Sequence, residues 1–188
     1  LWAPYVGTEF GIRLDAPELD PLYQACVELD VPLFLHPAPA GIDGPPAFPA
    51  VNHFDLDLLI GFANQETIAV ATLIFGGVLD RHPRLDLCIS HGGGAVGFLA
   101  GRFEQAALKR PWSSDALREP GAFITRLRRF WFDNHVHDAR SLALLAGIVG
   151  EDRLVLGTNF AGWDQPESLN SAHAPAYLAD NARRLLRQ

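Results

Sequence analysis

Methionine is absent from this 188-residue chain, lysine occurs once, at Lys109, and cysteine only twice. So few cysteines exclude a disulfide-stapled scaffold. Cys26 and Cys88 each sit inside an apolar periodic segment and read as small buried hydrophobes in a reducing compartment. No run approaches the roughly 18 uninterrupted apolar residues of a membrane-crossing helix, and no segment resembles a signal peptide. The expectation is a cytoplasmic protein with no membrane partner. Basic charge is scarce as well: 15 Lys and Arg stand against 22 Asp and Glu, a net charge of -7. The arginines are scattered apart from Arg126, Arg128, Arg129 and the pair Arg183-Arg184, which read as solvated helix faces, so a nucleic-acid partner is excluded. With no initiator methionine, and an abrupt opening on Leu1-Trp2-Ala3-Pro4, an N-terminal portion is expected to be missing from the chain.

What is present is a strand-helix alternation, in a chain 48% hydrophobic and 20% charged, enough for a single globular domain over residues 1–188. Glu18–Leu29 has helical spacing in Leu19, Leu22, Tyr23, Cys26 and Val27, and Pro32 follows its end. Val31–Leu35 reads as a buried strand ending on His36-Pro37. A Pro- and Gly-rich loop, Ala38–Phe48, has the character of an active-site loop. A long helix is expected from Phe54 to Leu79, with an interruption near Gly61–Gln65. The most telling run follows: an apolar strand, Leu85–Ser90, delivers His91 and then Gly92-Gly93-Gly94, before a helix over Ala95–Lys109. Further elements are a short helix at Phe123–Arg129, a strand at Phe130–Val136, a helix at Ser141–Val149, a strand at Arg153–Leu156 and a helix at Ala176–Leu186.

Alternation of this kind predicts a parallel sheet with right-handed crossovers. In such sheets, side chains at the carboxyl ends of strands share one crevice. His36, His91, Asp133 with His137, and Asn159 all fall at such ends. A glycine-rich turn carrying an incidental histidine explains any one of them, but not their convergence. His53, His82 and His173 lie in loops or at helix ends and read as structural or solvated.

Phe34-Leu35-His36-Pro37, the block Ile74–Leu85 leading to His91-Gly92-Gly93-Gly94, then Gly101-Arg102, Val136-His137-Asp138 and Leu154–Thr158 together resemble the carboxyl-terminal half of the amidohydrolase-related metal-dependent decarboxylases. The resemblance implies an α/β fold of the (β/α)8 type, with this chain covering roughly strands 5–8 and their helices. It implies a divalent metal, commonly zinc, and nonoxidative decarboxylation of an unsaturated or aromatic carboxylic acid, or hydrolysis of a C–C or lactone bond. By the same resemblance His36 is a metal ligand and His91 the general acid/base. Arg102 is a contact for a small-molecule carboxylate substrate, reached across a homodimer.

Two departures qualify this picture. The family's opening His-x-His does not occur at a first strand, the only such spacing being His135-Val136-His137. Asn159 also stands where a metal-binding aspartate is expected, and a neutral amide is a weaker donor than a carboxylate. Asp164 is a candidate replacement from the same loop, while His135 and His137 stay ambiguous. The alternative is therefore a metal-free divergent member: a pseudoenzyme, or a binding or assembly protein.

Overall fold

A computed structural model describes residues 2–4, 12–37, 51, 53–159, 162, 164 and 174–188. Five strands form one sheet in sequence order, β1 Trp2–Pro4, β2 Leu33–His36, β3 Leu87–Ile89, β4 Trp131–Asp133 and β5 Leu154–Val155, and every neighbouring pair is parallel. Helices fill the crossovers: α1 Asp20–Glu28, α2 Phe62–Phe75, α3 Val78–Arg81, α4 Val96–Lys109, α5 Ala122–Leu127, α6 Ala139–Val149 and, at the end, α7 Ala176–Leu186. Consecutive parallel strands joined through helices are the construction of a (β/α)8 barrel, of which this is a part.

The expected strand count was four, and β1 is the addition. Trp2, Ala3 and Pro4 register with Phe34, Leu35 and His36. A three-residue strand carries no readable period, and Pro4 argues against a strand in sequence; an edge position tolerates it because one side of the ladder needs no donor. The long helix also differs. It opens as a widened π turn at Asp57–Gly61 and becomes regular at Phe62, close to the expected irregularity. A second break falls at Gly76-Gly77, where Gly77 takes φ 71° and restarts the chain as α3.

Alternation along the strands sorts two faces. Leu33, Leu35, Leu87, Ile89, Phe132 and Leu154 pack against the helices, meeting Val70, Leu73 and Ile74 of α2, all of them buried. Phe34, Cys88, Trp131 and Val155 point the other way, towards the barrel axis, and meet Leu185 and Ala182 of α7. Each large side chain fully buried in this manner contributes roughly 1.5–3 kcal/mol. The segment Asp57–Phe75 is long and apolar enough to cross a membrane by composition, yet it carries the buried Glu66 and lends Ala69, Val70, Leu73 and Ile74 to the core. It is a packed helix of the domain.

α7 is stapled to the amino-terminal end of the sheet. The Asn181 Nδ2 amide donates to the carbonyls of Glu151 and Leu154 at 2.7 Å each. Arg187 spans Asp30 and Asp86, and the guanidinium groups of Arg153 and Arg184 both lie 5.0 Å from the Trp131 ring centre. The opposite, carboxyl-terminal end is left to the polar groups.

Candidate functional site

β2 ends on His36, whose Nδ1 lies 2.6 Å from the Pro37 carbonyl oxygen. That contact makes Nδ1 the protonated nitrogen and puts the lone pair on Nε2. Burial lowers the His36 pKa, and the charge of His91 adds to the effect. The two rings are neighbours, with centroids 5.3 Å apart.

His91 follows β3 in a backbone conformation that few side chains accept. Its φ is 46°, and Gly92, Gly93 and Gly94 continue in the left-handed region. The glycines are required there: a Cβ on Gly93 would stand 2.7 Å from the Phe132 ring, and one on Gly94 would collide with the Ala63 carbonyl. A histidine held in so strained a geometry by its surroundings is a mark of a functional turn.

Glu66, in the middle of α2, fixes the ring. Its side chain is 3% exposed, and its Oε1 lies 2.8 Å from His91 Nδ1 while also accepting a short hydrogen bond from Ser90 Oγ. Burial raises the Glu66 pKa against the opposing pull of His91 and Ser90. Burial alone would lower that of His91, but the hydrogen bond and charge of Glu66, with Asp133 and Asp164 behind them, leave it raised. With Nδ1 committed to Glu66, Nε2 is the nitrogen presented to the cleft.

Asp133, at the end of β4, sits beneath this turn. It accepts from the backbone N–H groups of Gly92 at 3.2 Å and His135 at 3.1 Å, and burial raises its pKa. Gly157 makes room for it, since a Cβ there would lie 2.7 Å from the Asp133 carboxyl carbon. A cavity of about 410 Å³ opens above, lined among others by Phe34, His36, Cys88, His91, Asp133 and Asn159. A second, of about 320 Å³, adjoins it, shares His36, His91, His135 and Asn159 with it, and adds Phe62, His137 and Asp164.

Of the residues expected from the sequence, His36, His91 and Asn159 come together here. Arg102 does not: it lies on the exposed face of α4, outside the lining of both cavities. The loop Ala38–Phe48, most of Phe160–Asn170, and His173 lie outside the described residues. His82 is structural as expected, buried with Nε2 3.0 Å from Asp20, and His53 is exposed. Glu66 and Ser90 escaped the sequence reading. A lone acid in an apolar helix carries no signal of its partner, which lies 25 residues further along the chain.

His36 and Asn159 do not by themselves form a metal site. Asn159, at φ 43°, turns its amide N–H to Asp164 Oδ1 in a short contact, so its side chain supports a carboxylate where a ligand was expected. The carboxylate stands instead at Asp164, whose Oδ2 lies 3.1 Å from His135 Nε2 and 2.7 Å from His137 Nε2. The candidate ligand atoms of these three residues all lie within 4.8 Å of one another. Burial works to raise the Asp164 pKa, but hydrogen bonds from His137, Asn159 and His135 outweigh it and hold the carboxyl down at about 2.

A parallel α/β sheet with histidines and carboxylates gathered at its carboxyl-terminal rim defines the class of (β/α)8-barrel proteins with a site at the barrel mouth. Within it, the family model described as amidohydrolase matches residues 5–188, and the chain belongs to that family. It is 34% identical over 151 residues to the 2-amino-3-carboxymuconate-6-semialdehyde decarboxylase of Dictyostelium discoideum, covering 80% of this chain and 40% of that protein. It is 26% identical to the gamma-resorcylate decarboxylase of a Rhizobium species, over 92% of this chain and 55% of the relative. Among solved structures, the 5-carboxyvanillate decarboxylase of Novosphingobium aromaticivorans, determined with bound manganese, superposes with a TM-score of 0.67 at 25% identity, covering 80% of this chain and 44% of that one. The chain thus spans about half, or less, of the length of these relatives, and they are decarboxylases.

Proposed function

We propose that the molecule to which this chain belongs is a nonoxidative decarboxylase of an unsaturated or aromatic carboxylic acid, with His91 as its general acid/base. The observation that carries this reading is the Glu66–His91 pair, which favours the cationic form of the imidazole and leaves Nε2 presented to a substrate in the cleft. His91 delivers that proton to the carbon bearing the carboxylate. The bond from this carbon to the carboxyl carbon then breaks, its electron pair stays with the carbon skeleton, and carbon dioxide leaves. Neutral His91 recovers a proton from solvent. Hydrolysis of a C–C or lactone bond is the related chemistry at the same site, in which neutral His91 withdraws a proton from water.

Glu66 holds the ring and its charge, and Ser90 holds Glu66. Arg102 binds the substrate carboxylate from the neighbouring subunit of a homodimer, because its fork matches two carboxylate oxygens and its place on α4 is exposed. Divalent metal dependence, on manganese or zinc, enters this reading from the manganese of the Novosphingobium relative. No step is assigned to a metal at His36 and Asn159. Two buried cysteines without a disulfide support a cytoplasmic location in this reading.

The test is carbon dioxide release by the full-length protein from a panel of hydroxybenzoates and unsaturated dicarboxylates, run in deuterium oxide. The expected result is release with one deuteron placed on the carbon that bore the carboxylate, lowered about 10²- to 10⁴-fold by His91→Asn. Release unaffected by His91→Asn would overturn the role of that residue, and no release from any member would overturn the reaction. The latter result, with the acids still bound, would favour the second reading, a divergent member kept for binding or assembly. One observation supports that second reading: Asn159 serves Asp164 and presents no carboxylate of its own.

A further inference from the structure

We infer that His135, His137 and Asp164 form a binding site for one divalent transition-metal ion, displaced from the His36–Asn159 pair towards the end of β4. The inference is independent of the decarboxylase reading. His135 and His137 are two apart just beyond β4, and their rings are neighbours, with centroids 4.7 Å apart. That segment is anchored at both ends. Asp133 accepts the His135 backbone N–H, and Asp138 caps α6 by accepting the Ser141 N–H at 3.1 Å.

Both imidazole Nε2 atoms converge on one oxygen of Asp164, at 3.1 and 2.7 Å. A metal about 2.0–2.2 Å from each of three such donors sets them roughly 3–4 Å apart, close to the arrangement of this cluster, whose candidate ligand atoms all lie within 4.8 Å of one another. Two imidazoles and a carboxylate are a borderline donor set, suited to zinc, cobalt, manganese or iron(II) and unsuited to the all-oxygen shells of calcium and magnesium. Three protein donors also leave coordination positions open. The His137 side chain is 63% exposed while His135 is 6% and Asp164 13% exposed, so the site has a closed side and an open one, and the open side belongs to the cavity that His91 also lines.

Asn159 has a defined part in this arrangement. Its N–H group holds Asp164 Oδ1, which leaves Oδ2 for the ion. An amide does this and a carboxylate cannot, because an aspartate at 159 would face Asp164 charge to charge. The asparagine is thus an orienting group for a displaced ligand set.

The experiment is a cobalt(II) titration of the chelator-treated full-length protein in the His36→Ala background, followed by the visible absorption bands of the bound ion. The expected result is one equivalent bound in His36→Ala. Adding His137→Ala or Asp164→Asn abolishes those bands, and adding Asn159→Ala weakens binding about 10- to 100-fold. His137 is exposed, so its replacement does not threaten the fold. No cobalt bound in the His36→Ala protein would overturn the inference, as would binding that survives both His137→Ala and Asp164→Asn. Neither result depends on turnover, so failure here leaves the decarboxylase reading standing.

Discussion

At the scale of single residues, the His91–Glu66 pair decides the electrostatics of the cleft. A histidine whose folded pKa lies above its unfolded value stabilises the fold below the ordinary imidazole range, and this contribution is lost as pH rises through the folded pKa. Glu66, raised by burial, acts at lower pH: it costs stability as pH rises from the ordinary carboxyl range to its own folded value. Glu66→Gln removes the acceptor charge while keeping the shape. In chelator-treated protein, the His91 ring titration followed by NMR then moves to lower pH, because burial is left with only the weaker pull of Asp133 and Asp164 against it. Wild type is expected to lose denaturation midpoint as pH rises above the ordinary imidazole range, and that decline flattens in the variant. A His91 titration unchanged by Glu66→Gln would show that the carboxylate does not set the charge of the ring. His36 and His91 were legible in the sequence because a strand, then a histidine, then Pro or Gly is a local pattern. Glu66 and Asp164 were not singled out with equal force, since each acquires its role from a partner on a different element. Asp164 did stand out as a carboxylate in the right loop, and the structure joins it to the two histidines that sequence left ambiguous.

At the scale of elements, helices with one clear apolar stripe were legible. α7 was bounded correctly at Ala176–Leu186 because Leu178, Ala182 and Leu185 recur at helical spacing. The strands were read one to four residues too long, since periodicity marks apolar character and a ladder ends where its hydrogen bonds turn away. Phe130–Val136 shrinks to Trp131–Asp133 because the Asn134 N–H donates to the Val155 carbonyl and the Val136 N–H turns back to Asn134. The position of α7 was not legible at all, for it is set by polar contacts over long separations. Asn181 is 5% exposed and satisfies two carbonyls beside β5. Asn181→Ala leaves both without that donor and costs about 1–3 kcal/mol in urea unfolding. Because α7 packs against Trp131, Val155 and Cys88, the loss also registers as a red shift in tryptophan emission before the main transition. An unfolding midpoint within error of wild type would mean that Arg184 and Arg187 hold the helix unaided.

At the scale of the whole molecule, sheet closure is the governing question. A (β/α)8 barrel has no edges, because its first and last strands pair. In the described residues β1 and β5 are the outer strands, and no strand pairs their far sides. The axial face carries Phe34, Cys88, Trp131 and Val155. α7 covers part of it, and the remainder is cavity wall lined by Phe34, Cys88 and Val155. Leu156, just beyond β5, is 41% exposed, and Phe98 on α4 is 82% exposed. Unpaired parallel edges beside exposed apolar side chains template association with other chains. The 188-residue polypeptide produced alone is therefore expected to sediment as dimers or larger species in proportion to its concentration. Charged replacement of the exposed Leu156 by Lys shifts the distribution towards monomer, because it places a solvated charge at the β5 edge without touching the core. A monodisperse monomer across the whole concentration range would show instead that the edges are covered by this chain itself, and that its sheet is closed by some means other than pairing with further strands.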